Sequence, residues 1–334
     1  MGRTGRTAKS EKPGSVTVVI PNFNGGDELE GCILSVLREV DPSKLIIVDD
    51  GSTDGSAERA ETAHPGVRVI RYSENLGFAH AVNVGINEAD TPYVFLLNND
   101  TRVEKGAVGA LLSAMVKGGD RVFSVGARMI SRSEPAKIDN CGDLYCMLGW
   151  AFSPGRDGDP SWYKKRSAVT TACAGAALYR RDVIESLGMF DEAHFCYLED
   201  VDLGIRARLK GYVNLYEPAA TVYHTGSATS GSRHNAFKVR LTAGNNLYLQ
   251  YKNFPAPALA FCAPGFLLGM IIKAAYFARK GLLDAYVKGL GDGIRKIREN
   301  SDRKLDIAQG DIDIKELLVL LFEMHINLIR RVSG

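Results

Sequence analysis

The stretch Leu45–Ser52, LIIVDDGS, decides the fold, because four apolar residues run directly into two aspartates. A short apolar run bounded by turn-forming residues predicts a strand that is buried on both faces. Similar runs stand at Ser15–Ile20 (SVTVVI), Val67–Arg71 and Tyr93–Leu97 (YVFLL), and a helical pattern at Phe78–Ala89 separates the last two. Strands that alternate with helices predict an α/β fold around a mostly parallel central sheet.

Polar side chains follow the carboxyl ends of three of these strands. They are Asn22 and Asn24 after the first strand, Asp49 and Asp50 after the second, and Asn98, Asn99 and Asp100 after the fourth. Asx residues are common turn formers and helix caps, so one such turn has a purely structural explanation. Ligands of open parallel sheets bind outside the strand carboxyl ends, so three polar turns on one edge favour a ligand crevice.

The chemistry of this edge suits a nucleotide held through a metal ion. Neither GxGxxG after the first strand nor GxxxxGK[ST] occurs in the sequence, which argues against a dinucleotide fold and a P-loop. Carboxylates repel a bare diphosphate, so a divalent cation has to lie between them. Asp50 is suited to bond a pyrimidine N–H, Asn98 or Asn99 to bond ribose hydroxyls, and Asp100 to ligate Mg²⁺ or Mn²⁺.

A second group of functional candidates lies further along the chain. Five acids fall between Asp191 and Asp202, and helical spacing from Leu203 onward places Glu199 and Asp200 at a helix N-terminus. Capping with dipole compensation and a carboxylate general base beside a sugar site are both open interpretations. His224, after an apolar strand, is either structural or an imidazole ligand to the metal. An aromatic such as Trp150 beside a polar loop suits a sugar face or a packing anchor.

Charge is unevenly distributed along the chain, although the net charge is only +2. Residues 1–14 predict a disordered basic tail, and residues 252–304 carry ten Lys or Arg against four acids. The body between them is acidic, which excludes a uniformly basic nucleic-acid binder. The six cysteines form no CxxC pair, so we expect reduced thiols in a cytosolic protein.

Residues 254–334 predict a helical extension of a catalytic domain that covers residues 15–253. Pro255–Ile272 has no charge but contains three prolines, and we expect an apolar hairpin rather than a membrane span. An amphipathic basic helix follows. Its apolar stripe is Leu283, Tyr286, Leu290, Ile294 and Ile297. The pattern suits the surface of an anionic membrane, and a cap on the catalytic domain or a contact in a homo-oligomer is the alternative.

Taken together, the motifs resemble those of the family 2 glycosyltransferases, which have the GT-A fold, and in particular their bacterial rhamnosyltransferase-like branch. The resemblance covers about Val16 to Asn253 and rests on VVIPNFNG, IIVDDGSTDGS, ENLGFAHAVNVGI, VFLLNNDTRV, GAALYRRDVIESLGMFDEAHFCYLEDVDLGIRARLKGY and HTGSATS. Six fragments in the order of the family are far more specific than any one of them.

The resemblance implies an inverting, metal-dependent transfer of a sugar from a nucleotide diphosphate. Asp200 would be the catalytic base, and Asp100 and His224 the metal ligands. The donor nucleotide would be bound by Pro21, Asn22, Asn24, Asp50, Asn98 and Asn99, and the acceptor side would be formed by Glu199, Asp202, Trp150 and Arg206. The arginine that the branch commonly has after the His segment is absent from Leu241–Asn246, and Arg240 or Arg233 would have to replace it.

We therefore expect a transferase that uses a dTDP- or UDP-sugar, rhamnose first, and a lipid-linked or growing cell-surface glycan as acceptor. It would act in the cytoplasm at the inner face of the cell membrane. One alternative is a transferase of the same fold that uses a UDP-hexose or UDP-N-acetylhexosamine. A non-catalytic carbohydrate-binding scaffold is the alternative of another class.

Overall fold

The computed structural model describes residues 15–226 and 235–333, so the predicted basic tail and Arg233 lie outside the described residues. The strands are β1 Val16–Asn22, β2 Leu45–Asp50, β3 Arg68–Tyr72, β4 Tyr93–Leu97, β5 Thr101–Val103, β6 Val122–Ser131, β7 Ile138–Asn140, β8 Leu144–Cys146, β9 Trp150–Phe152, β10 Ser167–Val169, β11 Ala176–Arg180 and β12 Val213–His224. The helices are α1 Gly26–Val36, α2 Ser56–Ala63, α3 Phe78–Glu88, α4 Ala107–Gly118, α5 Arg181–Ser186, α6 Glu199–Leu209, α7 Ala236–Asn253, α8 Ala256–Arg279, α9 Leu283–Glu299 and α10 Ile314–Ser333.

A mixed, mostly parallel sheet forms the centre of the molecule, as the strand–helix alternation predicts. Its order is β10-β12-β6-β11-β4-β1-β2-β3, with β5 added to β12 and β7 to β6. The pairs β4–β1, β1–β2, β2–β3 and β6–β12 are parallel. The strand β11 runs antiparallel between β4 and β6. The strand β11 therefore contributes a reversed strand to the centre of the sheet.

Helices cover both faces of the sheet, which explains why its central strands are apolar throughout. Every residue of β2 and β4 is buried. One hydrophobic core lies between the sheet and α1 and α4, and a second joins the opposite face to α3, α5 and α6. Strands with two buried faces need no polar alternation, so polar residues are left for the turns at the strand ends.

The C-terminal helices pack on the catalytic part of the chain through a third core. It joins Tyr145 of β8 and residues of α6 and α7 to α8 and α10. Two polar contacts fix α10 there: Arg208 of α6 pairs with Glu323 at 2.8 Å, and the Asn327 side chain donates to the Tyr145 carbonyl. The extension thus shares a core with the domain that precedes it.

The expected apolar hairpin at Pro255–Ile272 is wrong, because α8 is one continuous helix of 24 residues. Pro255 is its N-cap and Pro257 lies in the first turn, where the backbone N–H has no helical partner to lose. Only Pro264 lies inside the helix. Among the described helices, α8 alone is long and apolar enough to cross a membrane by length and composition.

Helix α9 buries a different face from the one that its apolar stripe indicates. Tyr286 is buried, but Leu283 is 40% exposed and Ile294 48% exposed. The contact with α7 is made instead by Gly289 and Gly293, which lie against the backbone of α7 so closely that a Cβ at Gly293 would come within 2.8 Å of the Gly244 carbonyl. Backbone-to-backbone packing of glycines therefore leaves part of the apolar stripe in contact with solvent.

Candidate active site

The three polar turns converge at one edge of the sheet, as predicted. We call this site the donor crevice and define it by Asn22, Asp50, Asn99 and Asp100. The buried amide of Asn22 ties the turns together, because its Nδ2 donates to Asp49 Oδ1 at 2.7 Å and its Oδ1 accepts from Asn99 Nδ2 at 2.8 Å. Asn22 and Asn99 thus hold the turns in register, and direct contact of either with a nucleotide stays a prediction.

Asp50 shapes one wall of the donor crevice. Its two carboxylate oxygens accept hydrogen bonds from the backbone N–H groups of Leu76 and Gly77, each at 2.8 Å. Burial raises the pKa of Asp50, and these hydrogen bonds oppose the rise. Each oxygen keeps a lone pair for a further donor, so the predicted bond to a base is compatible with this arrangement.

The first turn adds a left-handed residue beside the crevice. Asn24 has a φ of +51°, a conformation that asparagine tolerates better than most residues. Its backbone N–H donates to Ser52 Oγ at 2.8 Å, and its Oδ1 accepts from the Thr53 N–H at 2.9 Å. Pro21 lies half-buried one residue before the buried Asn22, and Asn98 lies half-buried at the end of β4.

Asp100 and His224 meet, which places the two predicted metal ligands side by side. His224 Nε2 lies 3.1 Å from Asp100 Oδ1, and its Nδ1 lies 2.6 Å from Asp139 Oδ2. Burial opposes a charge on His224, but its bonds to the two carboxylates outweigh that effect and raise its pKa to about 10. A carboxylate behind a histidine is the arrangement that orients an imidazole toward a metal.

Asp139 is a site residue that the sequence reasoning missed. It lies in β7 and also pairs with Arg156 at 3.2 Å, which brings a guanidinium of the 153–166 loop close to the predicted metal ligands. The available signal was Asp139-Asn140-Cys141-Gly142-Asp143, two acids around a turn in a stretch otherwise lacking pattern. Only the pairing of β7 with β6 aligns this turn with the end of the central sheet.

Asp200 lies at the start of α6, half-buried, beside two groups from other elements. An oxygen of Asp200, an oxygen of Asp143 and the thiol of Cys173 all lie within 4.8 Å of one another. Asp200 Oδ2 accepts from the Ala174 N–H at 3.1 Å, and its Oδ1 accepts from the Val201 N–H at 2.8 Å. Burial raises the pKa of Asp200 against these two bonds.

Asp143 was also absent from the predicted site residues. Burial raises its pKa to about 7, and the negative charge of Asp200 contributes to the rise. Cys173 experiences the charges of Asp200, Asp143 and Asp139, and burial raises the pKa of its thiol well above the usual value. We call Asp139, Asp143 and Asp200 the carboxylate row, because these charges extend from the metal ligands to the predicted base.

The four predicted acceptor-side residues do not share one environment. Glu199 is buried with one carboxylate oxygen lacking a protein hydrogen bond, and burial together with Asp200 raises its pKa well above the usual value. Trp150 is half-buried on β9, with Lys273 Nζ 5.6 Å from its ring centroid. Both can still face an acceptor, and that role stays a prediction.

Asp202 and Arg206 lie in a buried ion network, and their place on the acceptor side stays a prediction. Arg206 binds Asp202 at 2.8 Å, and Lys252 of α7 binds both Asp202 at 2.9 Å and Asp191 at 2.6 Å. Asp202 has no exposed surface, so an acceptor would have to break the network to reach it. Through this network the two residues join α6 to α7. This structural role also accounts for some of the acidic residues between Asp191 and Asp202.

Two groups of described side chains have ligand atoms close enough to hold a metal ion besides the Asp100–His224 pair. One is Asp191, His194 and Asp202, but the ammonium of Lys252 already lies between its two carboxylates. The other comprises Asp143, Cys173 and Asp200. Asp100 and His224 offer a carboxylate oxygen and an imidazole oriented by Asp139, a donor set that fits Mn²⁺ once the metal displaces the proton that His224 carries. The thiol of Cys173, which is also protonated, is a soft ligand and suits Mn²⁺ least.

The missing family arginine has no replacement at Arg240. Its guanidinium is half exposed and pairs with Asp292 of α9 at 2.5 Å. Lys296 of α9 instead reaches Asn245, with Nζ 2.5 Å from Oδ1. Asn245 in turn donates to the carbonyls of His194, Cys196 and Tyr197, in the segment that leads to Asp200.

A family model and a curated relative both show that this sequence is similar to glycosyltransferases. The sequence model described as Glycosyl transferase family 2 matches residues 17–188, just over half of the chain. The N-acetylglucosaminyl-diphospho-decaprenol L-rhamnosyltransferase of Mycobacterium tuberculosis is 29% identical over 240 residues, which are 64% of this chain and 77% of that protein.

Two solved structures share the fold. TarS 1–349 of S. aureus in complex with UDP-GlcNAc has a TM-score of 0.55 at 16% identity and covers 84% of this chain and 81% of its own. The mannosyltransferase PcManGT from Pyrobaculum calidifontis in complex with GDP-Man and Mn²⁺ has a TM-score of 0.53 at 16% identity, with coverages of 85% and 88%. These matches confirm the GT-A architecture expected from the sequence.

Proposed function

Because this chain belongs to glycosyl transferase family 2, we propose that it transfers a sugar, rhamnose first, from a nucleotide diphosphate to a lipid-linked cell-surface glycan. One observation carries the proposal: the carboxylate row connects the Asp100–His224 pair to the half-buried carboxylate of Asp200. The donor and the acceptor hydroxyl can therefore meet between a metal-binding pair and a base.

The donor side requires a divalent metal on electrostatic grounds. Asp50, Asp100 and Asp139 would repel a diphosphate, and the metal that Asp100 and His224 are suited to hold would compensate that charge. When bound, Mg²⁺ or Mn²⁺ supplies positive charge where the leaving diphosphate gains negative charge. Asp139 fixes the imidazole of His224 from behind, so that Nε2 is directed at the metal position.

Asp200 is the group that moves the proton. Its carboxylate accepts the proton of the acceptor hydroxyl while that oxygen bonds to the anomeric carbon, and the carbon–oxygen bond to the diphosphate breaks on the opposite face. The products are an inverted glycoside and a nucleoside diphosphate. The backbone N–H groups of Ala174 and Val201 hold the carboxylate in one orientation, and general-base assistance contributes about 10²–10⁴-fold.

Asp143 tunes that base. Two carboxyl groups this close cannot both ionise freely, and the charge of Asp200 helps burial to raise the pKa of Asp143 to about 7. When Asp143 is ionised as well, its charge in turn makes Asp200 a stronger base. The same geometry lets a proton be shared between the two groups before the acceptor binds.

The helical extension suits a peripheral membrane position on the cytoplasmic side. Its outer surface carries exposed apolar side chains, among them Phe261, Leu268 and Ile271 of α8 and Phe322 of α10. Helix α9, which follows α8 along the chain, carries the basic residues Lys288, Arg295 and Arg298. An apolar band beside cations matches the surface of an anionic bilayer. A contact with a second copy of the chain is the alternative use of the same surface.

The preference for rhamnose rests on the mycobacterial L-rhamnosyltransferase, which is 29% identical to this chain. A UDP-N-acetylhexosamine donor is the second candidate, because the structurally similar S. aureus TarS was solved with UDP-GlcNAc. Thermal shift with a panel of nucleotide sugars plus Mn²⁺ separates them, since the true donor will raise the unfolding temperature most.

The catalytic test is Asp200→Asn. We expect release of nucleoside diphosphate to fall by about 10²–10⁴-fold while donor binding, measured by calorimetry, stays within a factor of two. Asp90→Asn, an exposed acid paired with Lys44, is the matched control and should leave both quantities unchanged. Full turnover in Asp200→Asn would exclude this carboxylate as the base.

A further inference from the structure

A pair of cations stacks on two aromatic rings of the β8–β9 hairpin. Lys273 Nζ of α8 lies 5.6 Å from the centroid of Trp150, and Arg331 Cζ of α10 lies 5.5 Å from the centroid of Phe152. Trp150 and Phe152 are two residues apart on β9, so both rings project from the same face of the hairpin. We call these four side chains the cation–aromatic cleft.

Neither cation of the cleft has a carboxylate partner. Within the part of the chain that the structure describes, Lys273 and Arg331 form no ion pair, whereas Lys252, Arg206 and Arg208 each do. Burial raises the pKa of the Cys146 thiol and both cleft cations oppose the rise, which places their charges around one point of the hairpin. Burial lowers the pKa of Lys273 to about 8. Two neighbouring cations without a counter-charge are a site for an anion.

Helix α8 presents the cleft at the border of an apolar surface. Its inner face lies against the hairpin through Gly265 and Gly269, where a Cβ would collide with the carbonyls of Met147 and Leu148. Lys273 follows Gly269 by one helical turn on that same face. Exposed apolar side chains lie along α8 around this contact, at Phe261, Leu267, Leu268, Ile271 and Ile272. An anion in the cleft would therefore have room for an attached hydrocarbon chain.

The cleft also lies close to the predicted base. The strand β8 begins one residue after Asp143, whose carboxyl lies within 4.8 Å of that of Asp200. From Asp143 to Cys146 the chain advances at most about 10 Å. That interval matches a sugar with its phosphates, so an anion in the cleft can belong to the acceptor molecule itself.

We propose that the cation–aromatic cleft binds the diphosphate of a polyprenyl-linked acceptor, with the lipid on the exposed apolar side chains of α8 and the sugar directed at Asp200. The inference deepens the proposed function and rests on it. Lys273 and Arg331 bind the phosphates, and Trp150 and Phe152 hold the two cations in place. A bulk phospholipid headgroup offers similar charge, but its position is not tied to the distance between the cleft and the base.

The experiment uses Trp150 as the reporter. The chain has two tryptophans, and Trp162 is 76% exposed, so Trp162→Phe leaves Trp150 as the only source of indole fluorescence. Farnesyl diphosphate is titrated into this protein in EDTA, which keeps diphosphate from a metal in the donor crevice. We expect a saturable change in fluorescence, with farnesol giving none and inorganic diphosphate binding at least about 10-fold more weakly.

Two variants and a matched control test the contacts. Lys273→Gln and Arg331→Gln should each weaken farnesyl diphosphate binding about 10-fold, the loss expected for one charge-assisted contact. Lys288→Gln, which removes an exposed lysine of α9 that pairs with Asp284, should bind as the parent does. Unfolding temperatures show that each variant is folded, and the two independent variants ensure that one misfolded protein does not decide the result.

Several outcomes would overturn the proposal. They are the absence of saturable binding, variants that bind as tightly as the parent, and equal binding of inorganic and farnesyl diphosphate. Phosphatidylglycerol vesicles that compete as strongly as farnesyl diphosphate would assign the cleft to bulk lipid instead. The readout needs no sugar transfer, so a chain that binds farnesyl diphosphate but transfers no sugar refutes the proposed function alone.

Discussion

Replacing Asp143 by Asn should move the acidic limb of the pH–activity profile to lower pH. In the structure, oxygens of Asp143 and Asp200 lie within 4.8 Å of one another. Burial and the charge of Asp200 raise the pKa of Asp143 to about 7, and burial raises that of Asp200. The introduced amide keeps an oxygen that can accept from Asn140, which donates to Asp143 at 3.1 Å. The substitution therefore removes a charge with little change of shape.

The size of the shift follows from Coulomb's law. Two unit charges about 5 Å apart interact by about 0.8 kcal/mol in water and about 3 kcal/mol at an effective dielectric constant of 20. At 1.36 kcal/mol per pKa unit, the loss of an ionised Asp143 lowers the pKa of Asp200 by up to about 0.6–2.4 units. The shift is smaller in proportion to the fraction of Asp143 that still holds its proton where Asp200 titrates. Its sign is fixed, because removing a negative neighbour favours the ionised form of Asp200.

The assay is release of nucleoside diphosphate at saturating donor and Mn²⁺ between pH 4.5 and 9. The parent should lose activity as the pH falls through the raised pKa of Asp200, and Asp143→Asn should retain activity about 1–2 units further into acid. The plateau should fall somewhat, since a weaker base transfers protons less effectively. Asp90→Asn should leave the limb in place. An acidic limb that does not move, or moves to higher pH, would refute the electrostatic reasoning.

The other predictions concern the metal, acid stability and helix packing. Asp139→Asn should weaken Mn²⁺ activation about 10–100-fold, measured as the metal concentration at half-maximal turnover, because the imidazole behind the metal loses its anionic partner. The charge of Lys252 outweighs burial and lowers the pKa of Asp191 to about 2. The stability that this ion pair contributes is therefore complete above about pH 4 and is lost as the pH falls toward 2. Urea unfolding at a series of pH values should show this decline, and a free energy of unfolding that does not change with pH would contradict it. Gly289→Ala should lower the unfolding temperature, because the added Cβ would collide with a carbonyl of α7. Gly291→Ala places its Cβ in open space and should raise the free energy of unfolding by about 0.5–1 kcal/mol. Equal effects of the two substitutions on stability would contradict the packing described.

Local pattern identified the parts of the site that lie at the ends of regular strands. Asp50 and Asp100 follow apolar runs whose burial on both faces is required by their composition, so the location of their side chains could be predicted. His224 could be paired with Asp100 only through the family resemblance. The structure adds the contact, since β5 and the end of β12 run side by side and align Thr101 with His224.

Other parts of the site had no local signal. Asp139 and Asp143 lie in a segment of short strands and turns, where neither period 2 nor period 3.6 extends far enough to indicate burial. Asp202 and Asp200 are two residues apart in sequence, yet Asp202 is locked between Lys252 and Arg206 whereas Asp200 lies beside Asp143 and Cys173. Helical geometry alone turns them about 200° apart, and only the packing of α7 decides which side is the interior.

The sequence by itself determined the α/β sheet, the polar edge of that sheet and the family, because these depend on short-range hydrophobic patterns and on fragments kept in order. Tertiary structure decided the antiparallel centre strand, the continuous course of α8 and the glycine face of α9. It also brought Asp139 to His224, and Lys273 and Arg331 to the β8–β9 hairpin. Each of these features depends on which surfaces meet, and residues far apart in the chain acquire a common function only once burial and backbone contact have fixed their distance.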